Sequence, residues 1–253
     1  MTSRPRKPQL CPRPADPNID QILQEFLDDR KRQLKRAAFS NYESVVDLFR
    51  SYLNGYAYEG LSSTESALFE RHYNAKGADH REFCQLFGSD KIVENFRGFL
   101  GYFMIRKVLA GQDLKRAAGT VTKKLSKWLA EKGYIPQEAA REGAREGAGA
   151  ARDLPQAERA TQLLFDAADK MAVDPNALND EDYLDFDHYT IARIEPGKLW
   201  IEIFEGGGPQ ILGPVPVPEK ATGLLRAGWD ISCSLGRIRG QWRIIEMGNV
   251  YPE

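Results

Sequence analysis

The chain has 253 residues, 28% of them charged and 42% apolar, enough for one large domain or two ordinary ones. Its formal charge of −1 joins two unlike parts: residues 1–135 carry 23 Lys and Arg against 16 Asp and Glu, and residues 136–253 carry 12 against 20. No apolar run approaches the roughly 20 residues that a membrane-spanning helix needs, and three cysteines, far apart and accompanied by three histidines, lack the spacing of a disulfide framework or a zinc site.

Residues 1–16 read as a disordered basic tail, with Arg4, Arg6 and Lys7 among prolines where a signal peptide would have its apolar core, so the expected compartment is the cytoplasm. Asp16 and Pro17 mark a helix start, and Ile19, Ile22, Leu23, Phe26 and Leu27 trace one helical stripe that the cations from Arg30 to Arg36 extend. Ser40 followed by Glu43 has the capping-box pattern, which predicts a second helix burying Val45, Val46, Phe49, Tyr52 and Leu53 before Asn54-Gly55 ends it. Ser62 with Glu65 repeats the signal. A third long helix is predicted from Ser89-Asp90 to the neighbourhood of Gly111, burying Ile92, Val93, Phe96, Phe99, Leu100, Phe103 and Met104.

The segment Ala118–Ile135 is the most informative. Val121, Leu125, Trp128 and Leu129 recur at helical spacing and face a core, while Thr120, Lys123, Lys124 and Lys127 project from the other side. Cations beside hydroxyls suit phosphate contact. An ordinary solvated helix face has the same pattern. The basic balance of residues 1–135 adds a second pointer to nucleic acid.

Residues 137–154 hold the tandem Arg-Glu-Gly-Ala units at 141–144 and 145–148 and no large apolar side chain before Leu154, a composition expected of a flexible linker. Pro155–Met171 reads as one more amphipathic helix carrying Leu163, Leu164, Ala167 and Met171. Asp180, Glu181, Asp182, Asp185 and Asp187 read as a solvated acidic connector, since a calcium loop would need a glycine and a distal glutamate at set positions. Short strands follow at Tyr189–Glu195, Lys198–Phe204, Trp229–Leu235 and Gln241–Met247, with turns at Pro196-Gly197 and Gly236–Gly240 and a short helix near Glu219–Arg226. Gly206–Pro209 reads as a turn and not a phosphate cradle. Strict alternation marks Trp229–Leu235 as a half-buried strand. The expected fold is therefore multidomain, α then β: a helical domain over 17–136, a linker over 137–154, and over 155–253 a connecting helix with about five strands closing into a small β-barrel of SH3-like or OB-like type. Trp200, Trp229 and Trp242 belong to the barrel core or offer stacking surfaces.

Over residues 19–136 the helical domain resembles the core-binding domain of phage integrases and other tyrosine recombinases. The resemblance rests on Phe39-Ser40-Asn41-Tyr42 leading to Leu48-Phe49 and Tyr52-Leu53. It rests equally on Thr120-Val121-Thr122-Lys123-Lys124-Leu125 leading to Trp128-Leu129 and Gly133-Tyr134-Ile135. The family's frequent asparagine-proline pair is Ile135-Pro136 here, and the 55–90 region is long and irregular. The resemblance implies an all-α bundle that clamps duplex DNA, with the last helix facing the backbone. Lys115, Arg116, Lys123, Lys124 and Lys127, joined by Lys35 and Arg36 from the first helix, are the expected phosphate contacts, and Thr120 and Thr122 the anchors of the helix start. The family's catalytic residues are not recognisable after residue 136: His188 is followed by Tyr189-Thr190-Ile191, and Tyr251 lacks accompanying arginines in sequence. The expectation is thus a non-enzymatic duplex-DNA-binding protein, without metal or cofactor, whose carboxyl-terminal domain meets a protein partner. The contrasting expectation is a scaffold whose basic and acidic parts dock on complementary protein surfaces, each other included.

Overall fold

The computed structural model describes residues 13–205 and 208–252. Arg4, Arg6, Lys7, Cys11, Gly206 and Gly207 lie outside the described residues. Two compact units emerge: residues up to Phe96 with Lys124–Gly143, and Arg97–Lys123 with the chain from Ala144 onward.

In the first unit, α1 (Ile19–Gln33) opens with a reciprocal capping box, the Asn18 amide donating to Gln21 Oε1 at 2.7 Å and the Gln21 amide to Asn18 Oδ1 at 3.0 Å. Leu34 and Lys35 are extended, so the cations up to Arg36 do not prolong α1; Lys35 precedes and Arg36 begins α2 (Arg36–Tyr56). Ser40 and Glu43 consequently sit inside α2 and no capping box forms there. Phe39 is the reason: it is buried in phase with Val46, Phe49 and Leu53, so the apolar stripe begins one turn before the apparent cap. The predicted box at Ser62 does form at the head of α3 (Ser63–Tyr73), the Ser62 amide donating to Glu65 Oε2 at 2.9 Å. Glu65 also meets Lys91 Nζ at 2.9 Å, and the Ser62 hydroxyl followed by Lys91 holds its carboxyl down at about 2. Two short helices, α4 (Phe83–Leu86) and α5 (Asp90–Glu94), complete this part with Phe83 and Ile92 buried.

The long helix expected from residue 90 is broken. After α5 come α6 (Phe96–Gly98), a π-helical turn at Phe99–Phe103 and α7 (Met104–Arg106). A π turn shifts the helical phase, which lets Phe99, Leu100, Phe103, Met104 and Ile105 all be buried where one regular period would expose some of them.

The region expected to be a linker is helical: α9 runs from Gln137 to Asp169 without interruption and takes in the helix expected from Pro155. Glycine every fourth residue is here a packing stripe. A Cβ at Gly147 would stand 2.5 Å from the Lys123 amide nitrogen, one at Gly143 would stand 2.7 Å from Ser126 Oγ, and one at Gly119 would stand 2.2 Å from the Ala151 amide nitrogen. These contacts join α9 to α8 (Gln112–Glu131) within each unit separately, backbone against backbone at Gly147 and Gly119 and backbone against the Ser126 side chain at Gly143. Each helical glycine costs about 1 kcal/mol of propensity, and close helix approach offsets it.

In the second unit five antiparallel strands are hydrogen-bonded in the order β3-β2-β1-β4-β5, namely β1 (Tyr183–Glu195), β2 (Lys198–Glu205), β3 (Gly208–Pro216), β4 (Asp230–Ile238) and β5 (Gln241–Tyr251). A helical turn, α10 (Glu219–Thr222), precedes β4. Gly197 at φ 73° makes the β1–β2 turn, and Arg239 and Gly240, at φ 52° and 77°, make the two-residue turn of the β4–β5 hairpin. Ile191, Leu199, Ile201, Ile231, Cys233 and Leu235 form the core with Ala160 and Leu164 of α9.

Two strand expectations change. The acidic connector is not wholly loop, because Tyr183, Leu184 and Asp187 pair with β4, leaving Asp185 and Asp187 exposed on an ordered ladder. β4 is also buried on both faces from Ile231 to Gly236, not half-buried. Its serines tolerate this because Ser234 Oγ donates to Glu246 at 2.7 Å and Ser232 Oγ accepts from the Asn249 amide at 2.8 Å.

Candidate nucleic-acid interface

α8 positions the candidate residues. Its inner face is apolar as expected: Val121, Leu125, Trp128 and Leu129 are each buried. Trp128 meets Phe26 edge to face at 5.4 Å and donates from Nε1 to Asp29 Oδ2 at 2.9 Å. At the carboxyl end Gly133, at φ 79°, closes a Schellman motif in which the Tyr134 amide donates to the Leu129 carbonyl at 2.8 Å and the Gly133 amide to that of Ala130 at 3.1 Å. Lys132 Nζ then reaches Glu25 Oε1 at 2.8 Å and Asp29 Oδ2 at 3.0 Å, and the Tyr134 hydroxyl donates to Glu25 Oε2 at 2.6 Å. Hydrogen bonds from Lys132 and Tyr134 lower the Glu25 carboxyl below its ordinary range, while those from Trp128 and Lys132 do the same for Asp29. Lys132 is therefore committed to holding α8 on α1.

Two expected contacts are corrected. Lys115 is 4% exposed and its ammonium is paired with Glu158 of α9, so it does not face a ligand. At about 100° per residue it lies well round the helix from Thr120. Thr122 is 3% exposed, two residues and more than half a turn from Thr120. α8 begins at Gln112, so neither threonine anchors a helix start, and Thr120 Oγ1 donates to the Arg116 carbonyl one turn back at 3.0 Å.

What α8 does gather on one face is Arg116, Thr120, Lys123, Lys124 and Lys127. Four are exposed and Lys123 is half-buried. Lys123, Lys124 and Lys127 have no ion-pair partner among the described residues, and Arg116 has only Asp113 of its own helix, at 3.7 Å. Lys35 and Arg36 are exposed at the junction of α1 and α2. Chemically this is a row of cationic donors with one hydroxyl among them, suited to polyanion contact.

The structure also assembles a cluster that sequence separation concealed. The Arg106 guanidinium lies over the Tyr251 ring at 4.8 Å, His188 stacks on the same ring at 5.0 Å, and Arg106 is hydrogen-bonded to His188 Nε2. Both groups address the ring face. The Tyr251 hydroxyl meets only Ser232 Oγ, at 3.5 Å, among the described residues, so no base is seated on it. The described cysteines, Cys84 and Cys233, are buried, and desolvation pushes both thiols far up, which keeps them protonated at neutral pH. No group of three His, Cys, Asp or Glu side chains with metal-binding geometry occurs among the described residues. Of the tryptophans, Trp229 is in the core, whereas the rings of Trp200 and Trp242 are covered by Arg193 at 3.6 Å and Arg237 at 4.9 Å. No helix of the described residues is long and apolar enough to cross a membrane.

Comparison with known proteins finds no matching family model, no matching curated protein and no matching solved structure.

Proposed function

We propose that the chain is a non-catalytic duplex-DNA-binding protein of the tyrosine-recombinase core-binding type, acting in the cytoplasm without metal or cofactor. The five-stranded sheet is its accessory part, coiled into a small barrel of SH3-like or OB-like type. The observation that carries the reading is the outer face of α8, where Arg116, Lys123, Lys124 and Lys127 accompany Thr120 and, among the described residues, no carboxylate pairs with the three lysines. From Arg116 to Lys127 the helix rises about 16 Å, a length matching several phosphates of one strand. The barrel reading draws on β3 and β5, the two ends of the strand order, whose Cα atoms approach to within 8 Å.

Four cations that each neutralise one phosphate give a slope of log affinity against log salt of about −4. The test is titration of random-sequence duplex with the full chain at several salt concentrations, beside a variant carrying Lys123→Ala, Lys124→Ala and Lys127→Ala. The expected slope in the variant is shallower by about three units. Affinity that ignores salt, or a variant that binds like the parent, overturns the proposal.

A further inference from the structure

The second unit carries an open groove of about 530 Å³ between the end of α9 and the sheet. α9 contributes Phe165 and Asp169, β1 contributes Phe186, and β5 contributes Ile245, Glu246 and Met247. Phe165 and Phe186 are 48% and 51% exposed, and both line this one groove, so their rings form a shared apolar surface open to solvent.

The exposure of Phe186 is built into the strand register. Leu184 pairs with Leu235 and Asp187 with Cys233, so Asp185 and Phe186 of β1 together oppose the single residue Ser234. On the other side of β4, Ser234 pairs with Glu246 and Leu235 with Ile244, which leaves Ile245 as an extra residue. Ile231 pairs with Val250 and Cys233 with Met247, so Gly248 and Asn249 oppose Ser232. Three bulges thus converge on one stretch of β4, and bulges re-aim side chains beside functional surfaces. Gly248 completes the arrangement, since a Cβ there would stand 2.8 Å from the Phe186 ring.

The surroundings of these rings are acidic. Asp169 and Glu246 line the groove, Asp166 follows Phe165, and Asp185 and Asp187 flank Phe186; the last three are exposed. Such a rim repels phosphate, which separates this surface from any nucleic-acid contact. It complements a cationic chain with an apolar anchor, because Lys and Arg gain both from carboxylates and from phenyl faces.

We propose that this groove binds a short basic peptide segment of a partner protein, one bulky apolar side chain entering between Phe165 and Phe186 and flanking Lys or Arg side chains meeting Asp169, Glu246 and their acidic neighbours. The proposal is independent of DNA binding by α8.

The test uses a phage-displayed library of random twelve-residue peptides selected on the immobilised full-length chain, followed by fluorescence anisotropy with the consensus peptide. The expected consensus holds one large apolar residue flanked by at least two Lys or Arg. Its affinity falls about tenfold or more with Phe165→Ala and Phe186→Ala together, and separately with Asp169→Lys. Asp169→Lys leaves the apolar packing intact and so reads the site even if the double variant folds poorly. DNA binding and melting temperature stay unchanged in Asp169→Lys. An acidic or uncharged consensus, no enrichment over an unrelated immobilised protein, or full affinity in Asp169→Lys overturns the proposal.

Discussion

The two faces of α8 use the same residue types and put them to opposite ends. On the inner face Lys115 and Thr122 are buried, the lysine paired with Glu158; on the outer face Lys124, Lys127 and Thr120 stand in solvent. A buried charge is held by a specific partner and is expensive to orphan. An exposed one adds almost nothing to stability and stays free to meet a polyanion. Lysine spacing therefore separates a structural ion pair from an exposed row only when the helix phase and the neighbouring helix are both known.

The largest effect that tests this contrast is expected at the glycine stripe that fixes the inner face. Gly147→Val drives a side chain into the Lys123 backbone and should destabilise the chain by about 3 kcal/mol in urea unfolding. A cost near zero there would mean that α8 and α9 do not hold this close approach. Next comes Lys115→Ala, which leaves Glu158 without its partner. Because about a third of Glu158 is exposed, a loss of about 2 kcal/mol is expected, at the low side for an orphaned charge, with the salt slope for DNA unchanged. Lys127→Ala should do the reverse, with stability within about 0.5 kcal/mol of the parent and a slope shallower by about one unit. If Lys115→Ala alone changes the slope, the assignment of the faces fails.

A pH series sharpens the same distinction between committed and free charge. Glu65 has a folded pKa of about 2, below its ordinary 4.5, so its capping box and its bond to Lys91 contribute stability that is fully present above about pH 4.5 and lost as pH falls toward 2. Glu25 and Asp29, also lowered, act in the same direction. Glu65→Gln should flatten the fall of the unfolding midpoint between pH 4.5 and 2, and an unchanged profile would show that the carboxylate is not engaged. The smallest effect belongs to Gly149, two residues from Gly147 with nothing within 4 Å of its would-be Cβ: Gly149→Ala should stabilise by about 0.5 kcal/mol.

Much of the helical architecture was legible in local patterns. The stripe of α1, the Ser62 capping box and the apolar face of α8 all depend on contacts within a few residues, where sequence spacing and spatial spacing coincide. The same logic found the turns at Pro196-Gly197 and before Gln241. It failed at Ser40, where a cap pattern sits one turn inside a helix whose start is set by burial of Phe39. It failed again at the Arg-Glu-Gly-Ala repeats, since glycine in a soluble helix is favourable only when another backbone presses against it, and that backbone, α8, lies earlier in the chain. Of the nine residues expected to meet DNA, Lys115 and Thr122 are lost to burial for the same reason: their fate depends on α9 and the surrounding core.

By itself the sequence determined the division into a helical part and a strand-rich part, the unequal charge of the two, and which side of α8 is apolar, because these follow from composition and periodicity. Only the tertiary structure decided that α9 is a helix through its glycines, that Arg106 and His188 meet at Tyr251, and that three bulges turn Phe186 outward beside Phe165. Each of these rests on atoms far apart in the chain, and their free energy comes from close approach, register and desolvation.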